Sequence, residues 1–380
     1  MTASVNGLDP DEFLRQCWQK KPLLLRQAFP GFTPELDAND IAGLAADELA
    51  ESRLISGSFP EHDWALRYGP FSEQDFATLP DNNWTLMVQD VEKHHPPLQS
   101  LLNAFSFLPS WRIDDLMVSV AGPGGSVGPH ADQYDVFLLQ AEGRRLWQLA
   151  DSYDPALLQG CEINVLESFT PAQEWILEPG DMLYLPPGIA HHGVALDQCM
   201  TWSIGMRAPS SADLLQALGE WLAQYREEGP RYHDARLSPS VRAGEIDADA
   251  IERFLQMVKY SANEKPDFRT FLGSFLSSYR LAQDPVPPEQ SLDLHALQLA
   301  LESGASIQHN PWTRLSWLES GQKAILFAAG ESFPCTIELA IQFCSQPVNI
   351  NLDSEDLKRQ LDLVCTLVTR GHLYLQYPDD

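Results

Sequence analysis

Hydrophobic positions along this chain change their spacing several times, and the changes divide it into segments of different predicted structure. Short apolar runs rich in β-branched and aromatic residues predict strands at 53–55, 64–68, 84–88 and 111–121, and a short strand at Leu23–Leu25. Apolar stripes at helical spacing predict helices over 9–21 and 38–51, the first capped by Asp9 or Asp11. The N-terminal half of the chain is therefore expected to be rich in sheet.

Helical periodicity takes over at residues 210–282, with a polar break at 226–240 and a Pro-rich linker at 284–288. The stripe that includes Leu214, Leu218 and Trp221 must be buried, which makes this segment a plausible dimerisation module.

The last segment alternates short strands and helices. Strands are predicted at 315–318, 323–328 and 372–377, and helices at 336–344 and 354–370, the second beginning at Ser354 and ending before Gly371. This order is typical of a winged helix. The second helix carries acidic as well as basic residues, which favours contact with protein over contact with DNA.

The strongest candidate chemistry lies in residues 128–147. If this stretch is one extended strand, His130 and Asp132 project from the same face and Tyr134 continues it, because alternate residues of a strand share a face. An imidazole and a carboxylate side by side suit a borderline divalent metal such as Fe(II). Residues 141–143 predict a turn, so we expect a hairpin whose second strand brings an arginine back towards this pair.

A third ligand would complete a site of two histidines and one carboxylate, and the best candidate follows a Pro-Gly turn at 186–188. His191 stands just beyond that turn, at the start of a predicted strand. In a small jelly-roll barrel the two ends of the barrel sequence meet at its mouth, so His191 can reach His130 and Asp132. His192 competes for the same role, and the spacing from the turn favours His191.

Arg144 and Arg145 follow the predicted turn and are expected to face opposite ways. A buried arginine requires an anion, and bidentate pairing with a carboxylate makes its burial tolerable. Arg145 is the candidate for that role, whereas Arg144 is expected in solvent or at an interface.

Charge narrows the choice of partner. The sequence holds 53 acidic and 25 basic residues, a formal net charge of −28. Direct nucleic-acid binding is not expected, since phosphate contacts need Lys and Arg patches. A basic protein is a better partner because opposite fields speed encounter, although acidity also serves solubility alone. The sequence has no CxxC pair, so a zinc ribbon is not expected. It also shows no leader pattern and no apolar run long enough to cross a membrane, so we expect a cytoplasmic protein.

In combination these motifs resemble the Jumonji-C family of Fe(II)- and 2-oxoglutarate-dependent oxygenases, and within it the bacterial ribosomal oxygenases. The matching stretches are 111–117 (WRIDDLM), 124–137, 143–145 (GRR), 186–188 (PPG) and 207–209 (RAP). The specific motifs fall between residues 111 and 209, whereas the resemblance in layout covers the whole chain.

The resemblance implies an α+β protein with three parts. A double-stranded β-helix JmjC domain, of the jelly-roll or cupin-like type, is expected over residues 1–208 with its motif core at 97–208. A helical dimerisation region at 209–290 and a winged-helix-like domain at 291–380 follow. The protein is expected to be a homodimer.

It also implies roles for the site residues. His130, Asp132 and His191 would hold Fe(II), while Arg145 and the hydroxyl of Ser119 would fix the far carboxylate of 2-oxoglutarate. O2 is the other cosubstrate, succinate and CO2 are products, and one oxygen atom reaches a C–H bond of the substrate.

The implied substrate is an arginine, hydroxylated at C3, in a basic protein of the large ribosomal subunit, the sixteenth by convention. Asp114, Asp115 and Tyr134 are candidates to orient its cationic side chain, although acids at these positions also suit a structural turn or strand edge. Two other functions stay open. The same metal triad would serve a histidine hydroxylase or a lysine demethylase, and a cupin-like barrel with a winged helix could be a binding module without enzymatic activity.

Overall fold

The computed structural model of the protein describes residues 4–61, 63–224, 231–235, 246–263, 267–289, 292–345 and 360–377. Its α-helices are α1 Pro10–Gln16, α2 Ala38–Leu44, α3 Glu73–Ala77, α4 Val91–His94, α5 Gln99–Leu102, α6 Ser211–Gln224, α7 Ala248–Asn263, α8 Phe268–Ser278, α9 Leu294–Glu302, α10 Ile337–Cys344 and α11 Leu361–Thr369. Its strands are β1 Leu23–Leu25, β2 Ser52–Ser56, β3 Ala65–Tyr68, β4 Trp84–Val88, β5 Ile113–Ala121, β6 His130–Ala131, β7 Val136–Glu142, β8 Arg145–Leu149, β9 Gln173–Leu177, β10 Met182–Leu185, β11 Ala190–Ala195, β12 Cys199–Met206, β13 Ser306–His309, β14 Leu315–Ser320, β15 Lys323–Ala328, β16 Glu331–Cys335 and β17 Leu373–Gln376.

Two sheets form the predicted jelly-roll barrel. The larger has eight strands in the order β1-β10-β7-β12-β5-β4-β2-β3, and the smaller has four in the order β6-β11-β8-β9. Leu138 and Leu183 of the larger sheet share one buried cluster with Trp147 and Leu149 of the smaller. The two sheets therefore face each other, as the resemblance to a double-stranded β-helix implied.

Alternation along the strands separates the barrel interior from the outer core. Leu116, Val118 and Val120 of β5 belong to the large outer core beneath the N-terminal helices, so Asp115, Met117 and Ser119 lie on the opposite, inner face. Phe13 of α1 closes the outer core against Tyr184, with ring centroids 4.8 Å apart. Asp9 caps α1 by accepting the amide of Glu12, as predicted, although the helix ends at Gln16.

The metal-site stretch is neither one strand nor a hairpin, and both of those predictions are wrong. Strand β6 covers only His130 and Ala131 and pairs with β11, whereas β7 begins at Val136 and pairs with β10 and β12 in the other sheet. Strand β8 returns into the smaller sheet, between β11 and β9. The physical reason is barrel closure, which makes consecutive strands cross from one sheet to the other. Gly143, at φ +60°, turns the chain between β7 and β8. A Cβ at this position would lie 2.2 Å from the carbonyl oxygen of Gln198.

The C-terminal elements form a second hydrophobic core. Buried residues of α10, α11 and strands β14 to β16 pack together, and β13 pairs with β17. Helix α8 joins this core, since Gly273 leaves room for the ring of Phe327. The strand pair β14–β15 and helix α10, capped by Thr336, are as predicted. Ser354, the predicted start of the last helix, and much of the predicted polar break lie outside the described residues. Within the described ranges, no helix combines the length and apolarity needed to cross a bilayer.

Candidate active site

The three predicted metal ligands converge at one end of the barrel. One ligand atom from each of His130, Asp132 and His191 lies within 4.8 Å of the others. The Nε2 atoms of His130 and His191 are 3.8 Å and 3.7 Å from Oδ2 of Asp132. Backbone pairing creates this arrangement, because His191 is the direct partner of His130 in the β11–β6 ladder. Two imidazole nitrogens and one carboxylate oxygen form a donor set suited to Fe(II), with coordination positions left for other ligands.

Hydrogen bonds at Nδ1 fix the tautomer of both imidazoles, which leaves Nε2 free to bind a metal. His130 Nδ1 is 2.9 Å from the carbonyl of Gly128, and His191 Nδ1 is 2.9 Å from the carbonyl of Ile189. A carbonyl only accepts, so Nδ1 carries the proton in each ring and the Nε2 lone pair points to the site. Burial, followed by the charge of His130, lowers the pKa of His191 well below its ordinary value. The neutral imidazole that a metal requires is thus the resting form.

Arg145 is buried inside the barrel, at 4% exposure. Its Nη2 lies 3.6 Å from Sγ of Cys199, and its guanidinium lies over the ring of Trp147 at 5.9 Å. Nε has no hydrogen-bond partner, and no carboxylate among the described residues pairs with Arg145. A buried guanidinium in this state fits the carboxylate of a bound acid. Arg144, in contrast, is exposed and bonded to Asp197, as expected of the residue that faces outward.

Ser119 belongs to a polar row that crosses the inner face of the larger sheet. It is opposite Thr201, and Thr201 is opposite Gln140. Its hydroxyl donates a long bond of 3.3 Å to the Thr201 carbonyl, while the Thr201 hydroxyl donates to Gln140. A bond of this length exchanges easily for a stronger acceptor such as a carboxylate.

The structure separates the three candidate substrate residues. Asp114 forms an ion pair with Arg207 at 2.9 Å and lies 3.8 Å from Arg314 of the C-terminal domain, so its charge is already used. Asp115 lines a cavity of about 780 Å³, together with Tyr134. Burial, then the charges of Asp114 and Asp90, raises the pKa of Asp115 to about 7.

The cavity runs from the loop residues after Asp132 to the helical region that follows the barrel. Gln133 and Tyr134 directly follow Asp132 in its wall, and Asp213 of α6 and Tyr279 beyond α8 close its far side. Most charges in this wall are carboxylates. The volume lies within the range typical of ligand sites, and the acidic wall suits a cationic side chain.

A buried network under the metal site was not predicted from the sequence. Asp135 is fully buried and accepts hydrogen bonds from Tyr184 Oη at 2.6 Å, Arg112 Nη2 at 3.0 Å and Gln19 Nε2 at 3.0 Å. It ends the short loop that carries Asp132 and so anchors that loop to the turn after α1, to the segment before β5 and to β10. The sequence signal that could have revealed this network is Asp135 itself, an acid directly before an apolar strand, because a buried acid requires hydrogen-bond partners.

Comparison with known proteins extends these observations to the whole chain. A JmjC domain family matches residues 100–214, and a ROXA-like winged-helix family matches residues 260–374. The ribosomal protein uL16 3-hydroxylase of Escherichia coli is 36% identical over 296 residues, which cover 77% of this chain and 78% of that protein. A probable ribosomal oxygenase of Haemophilus influenzae is 39% identical over 216 residues, 56% of this chain and 53% of that protein.

A solved structure has the same architecture. YcfD, a ribosomal oxygenase from Escherichia coli in complex with cobalt and 2-oxoglutarate, matches with a TM-score of 0.82 and 31% identity, and the match covers 97% of this chain and 99% of that chain. The similarity thus includes the barrel, the helical segment and the C-terminal domain.

Proposed function

The chain belongs to the JmjC ribosomal oxygenases, and from this premise we propose that it hydroxylates C3 of an arginine in ribosomal protein uL16. The observation that carries the proposal is the metal triad in a barrel that also buries Arg145, for which the described residues supply no carboxylate partner. A cavity in whose wall carboxylates outnumber guanidinium groups begins at the loop residues after Asp132. A binding module without enzymatic activity would need a ligand cavity but not this combination. The finer choice of an arginine over a histidine or a lysine rests on the named relatives and on the acidic wall.

The enzyme uses Fe(II), 2-oxoglutarate and O2. His130, Asp132 and His191 would hold the metal, which supplies oxidative decarboxylation of 2-oxoglutarate to succinate and CO2, with transfer of one oxygen atom to a substrate C–H bond. Arg145 and Ser119 would orient the far carboxylate of 2-oxoglutarate. The apolar cluster that includes Trp147 and Leu149 would keep water from the reacting atoms.

For the substrate, we assign Asp115 as the anchor of the target guanidinium. It faces the cavity on the inner side of β5, and a carboxylate matches the planar fork of arginine in a bidentate pair. Tyr134, at 41% exposure, is positioned to cover the aliphatic part of that side chain. Asp114 would instead hold Arg207 and Arg314 in place.

We further infer a homodimer formed through α7. Ile251, Phe254, Leu255 and Val258 lie at helical spacing on one face of this helix, and each is about half exposed or more, with Val258 at 66%. An apolar stripe of this kind requires a partner surface.

We propose that the protein acts in the cytoplasm, where it meets ribosomal proteins. We also propose that each chain consists of a barrel (1–208), a dimerisation region (209–290) and a winged helix (291–380). Helix α8, within the middle region, packs on the winged helix.

The test is mass spectrometry of uL16 incubated with the purified enzyme, Fe(II) and 2-oxoglutarate. We expect the gain of one oxygen atom on an arginine, with stoichiometric succinate, and no gain with a His130→Ala variant. Matched peptides with arginine, lysine or histidine at the target position identify the substrate class. Oxidation of the histidine peptide, with the arginine peptide untouched, would falsify the arginine assignment.

A further inference from the structure

Arg53 of β2 faces the proposed substrate cavity. In the strand registers Arg53 is opposite Met87, and Met87 is opposite Ser119, so all three side chains share the inner face of the larger sheet. Arg53 lines the same cavity as Asp115 and Tyr134. Its Nε is buried and lacks a hydrogen-bond partner, and within the described part of the chain no hydrogen bond or ion pair engages its guanidinium.

The other arginines of the cavity wall differ from Arg53. Arg207 is paired with Asp114 and also donates to the carbonyl of Trp111. Arg280 is exposed and lies over the ring of Tyr279, 5.3 Å from its centroid. A guanidinium has five N–H donors, and burying any of them without an acceptor is unfavourable. Arg53 is therefore the cavity cation that a ligand would satisfy.

The geometry of C3 hydroxylation indicates which part of the substrate meets Arg53. C3 is bonded directly to Cα, so the main chain of the target residue must pass close to the metal triad. Arg53 lies in one row with Met87 and Ser119 on the inner face, and it lines the same cavity as Tyr134, which follows Asp132 by two residues. It would repel the target guanidinium, whereas Asp115 attracts it. A peptide carbonyl, in contrast, is an acceptor that a guanidinium binds well.

The position of β2 supports this reading. Only β3 separates it from the edge of the larger sheet, and Tyr68 on β3, directly opposite Arg53, is 67% exposed. An extended peptide can therefore cross this rim with its carbonyls over Arg53 while one side chain enters the barrel.

We propose that Arg53 donates to a main-chain carbonyl of the substrate beside the target residue. With Asp115 at the far end, it sets the direction in which the arginine side chain enters. Arg53 is thus a residue that determines substrate placement, and this inference rests on the proposed arginine hydroxylation.

The experiment compares Arg53→Met, which keeps the apolar stem but removes the donors, with the wild-type enzyme. Arg67→Met on the neighbouring strand is the matched control, since Arg67 is exposed and paired with Asp75. We expect Arg53→Met to raise the peptide KM by roughly tenfold or more, as for the loss of a charge-assisted hydrogen bond. The KM for 2-oxoglutarate should change less than about twofold, because Arg53 is assigned to the peptide and not to the cosubstrate. The peptide KM of Arg53→Lys should lie between those of the wild type and Arg53→Met.

A second arm identifies the acceptor. Replacing the amide on either side of the target arginine by an ester weakens its carbonyl as an acceptor. One of the two ester peptides should lose affinity for the wild type and show no comparable loss with Arg53→Met. An unchanged peptide KM in Arg53→Met, an increase in the KM for 2-oxoglutarate instead, or equal ester effects in both enzymes would overturn the proposal. Wild-type enzyme that oxidises no arginine peptide would instead reject the proposed function itself.

Discussion

At the scale of single residues, the two proposed ligand contacts are opposite charges. Arg145 is a buried cation for which the described residues supply no anion, and Asp115 is a partly buried acid with a raised pKa. Each is held in an energetically unfavourable state that a ligand of the opposite charge relieves. Unpaired buried charge of this kind is concentrated at functional sites because binding, not folding, satisfies it.

Removing the Arg145 guanidinium should raise the requirement for 2-oxoglutarate steeply. Loss of one partner of a desolvated charge pair costs roughly 2–5 kcal/mol, which is about thirtyfold or more in affinity. Arg145→Ala is compared with Arg144→Ala, whose side chain is exposed and bonded to Asp197. Succinate release is measured against 2-oxoglutarate concentration. A shift below threefold in Arg145→Ala, or a larger one in Arg144→Ala, would contradict the assignment.

Peptide affinity should increase with pH through the neutral range. The pKa of Asp115 is raised to about 7 by burial and by Asp114 and Asp90, so below that pH its carboxyl is protonated and cannot pair with a guanidinium. Well below the pKa of Asp115, the affinity for the peptide should fall by at most about tenfold for each pH unit. Binding of a labelled arginine peptide is titrated between about pH 6 and pH 8, and Asp115→Asn should flatten the profile. A wild-type profile as flat as that of the variant would count against Asp115 as the anchor.

The sequence was sufficient to identify the residues with a recognisable spacing and insufficient for those whose role depends on packing. His130, Asp132 and His191 are indeed adjacent in space, because the motif and the turn each fix a local position. Asp135 lies in the same stretch but its partners come from the turn after α1, the segment before β5 and strand β10. No local pattern specifies such a long-range network.

At the scale of secondary structure, the loop between β6 and β7 determines the metal site. Its first residue, Asp132, is one of the three triad residues, and its last, Asp135, is fixed by three side chains. The apolar residues on both faces of β7 are compatible with a central strand as well as with a hairpin strand. In the structure β7 is a central strand that pairs with β10 and β12, so it forms no hairpin with β8. Strand patterns give alternation but not the partner strand.

Breaking the Asp135 network should loosen this loop and destabilise the fold. In Asp135→Ala, Arg112 loses a buried partner, and the expected loss in the free energy of unfolding is about 3–5 kcal/mol. Tyr184→Phe removes one hydrogen bond to a charged acceptor and should cost about 1.5–3 kcal/mol. Urea denaturation of the metal-free proteins measures both. Equal and small losses, within about 0.5 kcal/mol of wild type, would mean that the network does not anchor the loop.

At the scale of the whole molecule, charge and apolar surface have separate locations. The chain carries a net charge of −28, and carboxylates dominate the cavity wall, whereas exposed apolar residues concentrate on α7. Asp114 connects the barrel to Arg314, which donates to the carbonyl of Tyr279 after α8. The change in periodicity predicts a domain division, whereas no sequence pattern predicts this ionic link, since it joins residues distant in sequence.

A charge on the apolar face of α7 should disrupt the proposed dimer. Phe254→Asp places a carboxylate where the stripe is expected to be buried, and burial of an unpaired charge is strongly unfavourable. Gln256→Asp is the matched control, because Gln256 is exposed and bonds Glu252 on the polar side of the same helix. Light scattering coupled to gel filtration should report a monomer for the first variant and a dimer for the second. A dimer in both cases would move the interface elsewhere.

The pairing of His130 with His191 in the β6–β11 ladder has a consequence for metal supply in the cell. Because the backbone brings the donors together, the site is formed before any ion arrives, and its affinity follows the intrinsic order of divalent metals. In that order cobalt, nickel, copper and zinc all bind more tightly than iron. The fraction of active enzyme is therefore set by which ions the cell keeps available, so an excess of zinc should inactivate the protein without unfolding it.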